Sequence, residues 1–289
     1  MKKEAVAIGH LERFASDYER TSGKISVPKI SASNGIKIAA IGSGPASLSF
    51  AGDMAKMGYD VTVFEALHEI GGVLKYGIPE FRLPNEIVDV EIRNLEQMGV
   101  KFIKNCIVGK TVSIKDLEDD GFKAFFVASG AGLPRFMNIN GENLISIMSS
   151  NEYLTRVNLM RAGTPNSDTP VALGKRVAVI GGGNPAMDSV RTAKRLGAER
   201  AMIVYRHNPI EYIGDEKGKV TKMLLQKMEL GEPDASGRRS PVEISGAIDT
   251  IEVDVVIVSI GVSPNPLIPQ SVKGLEVTKW GTIVVNDDT

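Results

Sequence analysis

Cysteine is almost absent from this 289-residue sequence, which holds only Cys106. One thiol closes no disulfide within the chain and cannot by itself make a zinc or iron–sulfur site. A lone cysteine reads as a small hydrophobic core residue. Histidine is nearly as scarce: His10, His68 and His207 fall in no Ser/His/Asp or metal-ligand pattern, and each reads as structural or solvated. An excess of one charge is missing too. With 34 basic against 35 acidic side chains the net charge is −1, which gives no field to draw the chain onto nucleic acid or an anionic membrane. No apolar run approaches the roughly 20 residues that cross a bilayer. The basic opening "MKKEAVAIGH" lacks the apolar core of a secretory signal, so a cytoplasmic protein is expected.

What is present is glycine, 30 of them, in a chain that is 43% hydrophobic and 24% charged, a globular composition with many tight turns. "AIGHLERFASDYER" carries Ile8, Leu11, Phe14 and Ala15 at helical spacing and predicts a short amphipathic helix. "TSGKISVPKISASNG" reads as a linker. "IKIAAIG" then has the continuous apolar character of a parallel strand buried on both faces. A glycine turn, a helix to about Met57 and the strand "DVTVFEA" complete a βαβ unit. "NEIVDVEIRNLEQMG" predicts a helix burying Ile87, Val90, Leu95 and Met98, capped by Gly99, with strands at "VKFI" and "KAFFVASG". At residue 174 the pattern restarts: strand "GKRVAVIG", helix "NPAMDSVRTAKRLG", strand "RAMIVYR". Short β segments are expected from about 208 to 260, and "GTIVVND" as a last strand. The fold class is therefore α/β.

The βαβ unit occurs twice, its first glycines, Gly42 and Gly181, 139 residues apart. A single G-x-G-x-x-G is weak as a signal, but each copy here lies between an apolar strand and a helix, with a second strand behind. The first glycine permits the tight turn, the second lets backbone approach a pyrophosphate, and the third position must be small so that helix packs on sheet. Those positions are Gly42, Gly44 and Ser47 in one copy and Gly181, Gly183 and Ala186 in the other. The helix N-terminus behind each turn offers N–H groups and a partial positive charge to phosphate.

The ends of the second strands separate the copies. Aligning "DVTVFE" with "AMIVYR" puts Glu65 and Arg206 at one structural place. An acid there accepts from a ribose 2′-hydroxyl, whereas an arginine pairs with a 2′-phosphate or, on a blander reading, is an exposed strand-end residue. The first site suits FAD or NAD, the second NADP. Two such sites point to a flavoprotein supplied by a nicotinamide nucleotide, in which the cofactors carry the chemistry and no side-chain catalyst is required. The rivals are a non-catalytic nucleotide-binding or scaffolding subunit and a single-site NADP dehydrogenase; the latter leaves the first turn and Glu65 without a role.

Seven strings extend this into a resemblance over nearly the whole chain: "AIGHLERFASDYE", "IGSGPASLSFA", "IGGVLKYGIPEFRLP", "VASGAGLPR", "VAVIGGGNPAMDSVRTAKRLGAE", "MELGEPDASGRR" and "VSIGVSPNP". On these the sequence resembles the NADPH- and FAD-binding part of the glutamate synthase small (β) subunit family, with relatives in dihydropyrimidine dehydrogenase and the large subunit of NADH-dependent ferredoxin:NADP oxidoreductase. The resemblance implies two Rossmann-like domains, the NADPH domain inserted into the FAD domain. It implies FAD contacts from Gly42, Gly44, Pro45, Ala46 and Glu65, with Gly71, Gly72, Leu74 and Arg82 near the flavin. "VASGAG" resembles the crossing between the domains, with Ser129 where the family has Thr, and implicates Ala128 and Gly130. On the nucleotide side it implies Gly181, Gly183, Asn184, Pro185, Ala186 and Arg206, with Gly261 at the return crossing; Asp188 is expected to be a structural partner of the turn.

The expected divisions are 1–35 for the N-terminal helix and linker, 36–135 for the first part of the FAD domain, 136–261 for the NADPH domain, and 262–289 for the return to the FAD domain. The family has an iron–sulfur-binding segment before "AIGHLERF", a further arginine and helix after "VYRH" (where His207 stands here), and a Gly-Asp motif beyond "VVNDDT". The sequence is accordingly expected to be incomplete. Its implied activity is to pass electrons from NADPH through FAD to iron–sulfur centres of a partner or missing segment, most simply a glutamate synthase large subunit. The alternative is a subunit of an electron-bifurcating transhydrogenase.

Overall fold

A computed structural model describes residues 5–23, 26–205, 207–233, 235, 237 and 239–286. Helix α1 (Ile8–Thr21) forms as its periodicity predicts, but buries none of its residues. The first sheet follows, built from β1 (Lys37–Ile41), α2 (Pro45–Lys56), β2 (Asp60–Phe64), α3 (Val73–Tyr76), α4 (Asn85–Gln97), β3 (Lys101–Ile103), α5 (Ile114–Asp119) and β4 (Phe122–Val127). Its strands are all parallel in the order β3-β2-β1-β4. β1 and β2 each open on an exposed charged residue and then bury every side chain, because helices cover both faces. Ala40, Val61 and Val63 pack under Ala51, Ala55 and Met98 on one face; Ala39, Ile41 and Phe64 pack against Leu117 and Ile268 on the other. Each fully buried Val, Leu, Ile, Met or Phe of this kind contributes about 1.5–3 kcal/mol. Cys106 is half-buried against the second cluster, as a small apolar residue.

The second sheet repeats the design. After β5 (Leu133–Pro134) come β6 (Ile147–Ser149), α6 (Ser150–Asn158), β7 (Arg176–Ile180), α7 (Asn184–Arg195) and β8 (Arg200–Val204). Then follow β9 (His207–Gly214), β10 (Val220–Pro233), β11 (Arg239–Glu252), β12 (Val255–Val258), β13 (Val262–Ser263) and α8 (Leu267–Ser271). The parallel order is β6-β12-β7-β8. Tyr153 and Leu154 of α6 and Ala186 and Ala193 of α7 cover one face. The antiparallel sheet β11-β10-β9 covers the other through Tyr212, Val220, Met223 and Leu225. The chain leaves the first sheet and returns along one path: β5 pairs antiparallel with β13, and Ile268 of α8 re-enters the first core. This is the α/β, two-Rossmann architecture with one unit inserted in the other. Among the described residues no helix is long and apolar enough to cross a membrane.

Three local expectations are corrected. Between the shorter β9 and β12, residues 208–260 hold not further short segments but two paired strands of 14 residues each. Gly231, Pro233 and Gly246 sit where the β10–β11 register shifts, so the glycines and proline are absorbed by bulges. The described part of "GTIVVND", residues 281–286, forms no strand, only one bridge between Val277 and Ile283 with Thr278 N–H on Thr282 O (2.8 Å) and Val284 N–H on Glu276 O (3.0 Å); a pairing this short does not extend into a sheet. In α4 the buried positions are Val88 and Ile92, with Ile87, Val90 and Leu95 at the margin, because the helix is rolled to meet Leu48 and Ile70; Met98, just past its end, is buried as expected.

The N-terminal edge of the second sheet is fastened by charge. Arg176 donates from Nε (3.2 Å) and Nη2 (2.7 Å) to Asp254 Oδ1, and its backbone N–H to Oδ2 (2.8 Å). Hydrogen bonds from the Arg176 guanidinium hold the Asp254 carboxyl below its ordinary 3.8, outweighing partial burial. Because the folded value lies below the unfolded one, the pair's stabilisation is present above about pH 4 and is lost as pH falls through the folded value. Asp254→Asn is expected to cost about 1 kcal/mol at neutral pH, with wild type and variant converging in acid. Denaturant titrations at several pH values measure this; a pH-independent difference would contradict it.

Candidate dinucleotide sites

Both glycine turns are held by the same backbone scheme. Gly42 N–H donates to Phe64 O (2.8 Å) and Ala128 N–H to Ile41 O (2.9 Å). In the second unit Gly181 N–H donates to Val204 O (3.2 Å) and Ser259 N–H to Ile180 O (2.8 Å). Both first glycines take positive φ, +98° and +121°. A Cβ on Gly42 would lie 2.4 Å from Ala128 O, and one on Gly181 would lie 2.2 Å from Ser259 O. Their lack of a side chain is thus required by the neighbouring strand, not by a ligand.

The second glycines face the other way. Gly44 and Gly183 are extended and serve as N-caps of α2 and α7, and no side chain caps either helix among the described residues. A Cβ on Gly44 would meet nothing within 4 Å, and one on Gly183 would meet Pro185 Cδ at 3.7 Å. Open backbone followed by the first-turn residues Pro45 and Ala46, or Asn184, Pro185 and Ala186, is a concavity whose N–H groups lack intrahelical acceptors, the arrangement that holds phosphate. Ser47 and Ala186 are fully buried, where only small side chains let helix pack on sheet. Gly71 and Gly72 close over the first turn, near enough that a Cβ on Gly72 would lie 2.8 Å from Gly44 Cα.

Glu65 stands at the end of β2, only 6% exposed. Its Oε2 accepts from Ser43 N–H (2.9 Å) and Ser43 Oγ (2.5 Å), and its Oε1 from Leu67 N–H (2.8 Å). Ser43 Oγ accepts in turn from Gly71 N–H (2.9 Å). A carboxylate has about four acceptor positions, so one remains after these three. The Glu65 charge, added to burial, also raises the Tyr76 hydroxyl above its ordinary value. Ser43 occupies a variable position of the glycine pattern and carries no sequence signal, yet it ties the acid to the Gly71–Gly72 loop. Leu74 is packed on Leu48, Ile70 and Val88.

At the matching place in the second unit, Arg206 lies outside the described residues. Beside it the Tyr205 ring covers the turn, so that a Cβ on Gly182 would lie 2.9 Å from Tyr205 Cδ2. The crossings meet through Arg135 N–H on Gly261 O (3.1 Å) and Asn265 N–H on Gly130 O (3.0 Å). Ser259, the counterpart of Ala128, lies in "VSIGVSPNP", where the resemblance singles out only Gly261.

Arg82 is placed on the other unit: its Nη1 donates to Asp188 Oδ2 of α7 at 2.6 Å. Asp188, expected to support its own turn, is paired across the units instead, and its buried Oδ1 has no partner among the described residues. The Phe81 ring contacts both Arg191 and Arg195, whose guanidinium carbons stand 4.5 and 3.8 Å from the ring centroid.

Two parallel sheets, each ending in an open glycine turn at an uncapped helix, define the architecture of the two-dinucleotide oxidoreductases. The chain belongs to the pyridine nucleotide-disulphide oxidoreductase family, whose model matches residues 36–289. It is 34% identical over 313 residues to the NADPH-Fe(3+) oxidoreductase subunit beta of Geobacter sulfurreducens, covering 97% of this chain and 45% of that one. It is 34% identical over 304 residues to a putative glutamate synthase [NADPH] small chain of Cereibacter sphaeroides, covering 96% and 73% respectively. The chain thus spans less than half the length of the first and about three quarters of the second. Among solved structures, FprA from Mycobacterium tuberculosis shares the fold, with TM-score 0.69 at 20% identity over 87% of this chain and 75% of that one. The resemblance to glutamate synthase small chains stands on these relatives.

Proposed function

We propose that the chain is an NADPH:FAD oxidoreductase module, with FAD on the first unit (36–135 and 262–289) and NADPH on the second (136–261). The observation that carries this is the repetition of one open turn, at Gly42–Gly44 and Gly181–Gly183, on two sheets joined by the β5–β13 crossing. The turns alone would serve any pyrophosphate. Glu65 selects a plain ribose at the first, and Arg206, by its place in the sequence, a 2′-phosphate at the second. Bound together, the two cofactors supply hydride transfer from nicotinamide to flavin. The residues of this chain bind and orient: Gly44, Pro45 and Ala46 meet one pyrophosphate, and Gly183, Asn184 and Ala186 the other. Gly71, Gly72 and Leu74 border the flavin, with Ala128, Gly130 and Gly261 at the hinge between sites.

The electrons then leave to iron–sulfur centres of a partner, with the glutamate synthase large subunit the foremost, in a cytoplasmic complex. The names of the relatives support the donor, NADPH, and differ in what receives the electrons. One test is equilibrium dialysis, in which the purified chain should take up one FAD and one NADP per molecule without competition. For the donor site, Arg206→Ala should reduce the preference for NADPH over NADH roughly tenfold or more, the worth of a charge-assisted hydrogen bond of about 1.5–3 kcal/mol. An unchanged preference would remove Arg206 from the site.

A further inference from the structure

The cleft between the units carries contacts that neither dinucleotide site needs. We infer that Phe81 and Asp188 are positioning residues, which fix the orientation of the NADPH unit against the flavin unit and thereby the alignment of the two rings; this rests on the two-cofactor reading above. Asp188 is a buried carboxylate, its side chain 5% exposed, and its one partner among the described residues is Arg82 of the other unit. A buried charge whose counter-charge comes from another body resists separation, because parting strands it without a partner. Phe81, adjacent in sequence to Arg82, lies against the guanidinium groups of both Arg191 and Arg195, one turn apart on α7. Asn158 Nδ2 at the end of α6 adds a bond to Tyr76 O of α3 at 3.2 Å.

The chain path makes these contacts a direct link between the two turns. Gly72 packs on Gly44, α3 begins at the next residue, and the segment after α3 delivers Phe81 and Arg82. Asp188 lies in the first half of α7, five residues past Gly183. A rotation of one unit against the other must break this link, and a rotation shifts the rings without altering either pocket. Loss of the link therefore lowers the rate of hydride transfer rather than the affinity for either cofactor.

The test uses Asp188→Asn, Phe81→Leu and the ring-retaining Phe81→Tyr. Spin labels at Lys115→Cys in α5 and Lys175→Cys before β7, in a Cys106→Ser background, report the distance between units with no cofactor bound. Asp188→Asn and Phe81→Leu should broaden or lengthen that distance, and Phe81→Tyr should retain it. In anaerobic rapid mixing of FAD-loaded protein, the first two should lower the limiting rate of flavin reduction at least tenfold, leave the half-saturating NADPH within about threefold, and be rescued by Phe81→Tyr. Unchanged distance distributions and limiting rates in both variants would overturn the inference. Failure of the wild-type protein to take up FAD or to be reduced would overturn the proposed function instead, while the label distances would still decide whether the link holds the units.

Discussion

Gly42→Ala is expected to abolish FAD uptake while leaving NADP binding in place, and Gly181→Ala to do the reverse. The cause lies in each turn's own backbone. Gly42 has φ +98° and Gly181 +121°, where an L side chain is strained. The added methyl would also lie 2.4 Å from Ala128 O in one case and 2.2 Å from Ser259 O in the other, against fixed backbone at the end of a neighbouring strand. Strain and clash together should cost about 3 kcal/mol or more in the affected unit. Neither turn can relieve the clash by moving outward, because Gly42 and Gly181 are bonded on the other side to Phe64 O and Val204 O. Flavin content and NADP affinity by calorimetry separate the two effects. Parallel loss of both ligands in each variant would show that the turns do not serve separate sites.

Glu65→Gln should have the next largest effect. The substitution keeps the shape but turns one acceptor oxygen into a donor, while Ser43 N–H, Ser43 Oγ and Leu67 N–H all donate to the native carboxylate. At least one buried donor is left facing another, a loss of about 2–3 kcal/mol. Since Ser43 Oγ also receives Gly71 N–H, the loop over the turn should loosen too. Reduced stability in denaturant and at least tenfold weaker FAD binding are expected, with NADP binding unchanged. Full FAD affinity in the variant would remove Glu65 from the flavin site.

Much of this was legible in the sequence, for identifiable reasons. After their opening Lys37 and Arg176, the strands at 38–41 and 177–180 are continuous apolar runs, since a parallel sheet covered on both faces has no polar side. The turns were legible because positive φ and close backbone approach leave few residues besides glycine. What escaped reading depends on contacts distant in the chain. Arg82 meets Asp188 across 106 positions, and no periodicity or local motif encodes that meeting. Ser43 acts from a position that the glycine pattern leaves variable, and Ser259 from the end of a strand far along the chain from the turn it meets. The length of the strands in residues 220–252 was not legible, because their pairing runs through register shifts, near Gly231 and Gly246, that no local pattern encodes. The C-terminal apolar segment misled because β-propensity without a partner strand does not make a strand.

The central claim is that one chain holds both ends of a hydride transfer, with NADPH as donor. Its most direct test is an anaerobic titration of the FAD-loaded protein with NADPH, followed at the flavin absorbance. The flavin band should bleach with one equivalent of NADPH per flavin, and much faster than with the same concentration of NADH. A protein that takes up no FAD, or whose bound flavin keeps its colour under excess NADPH, would contradict the account.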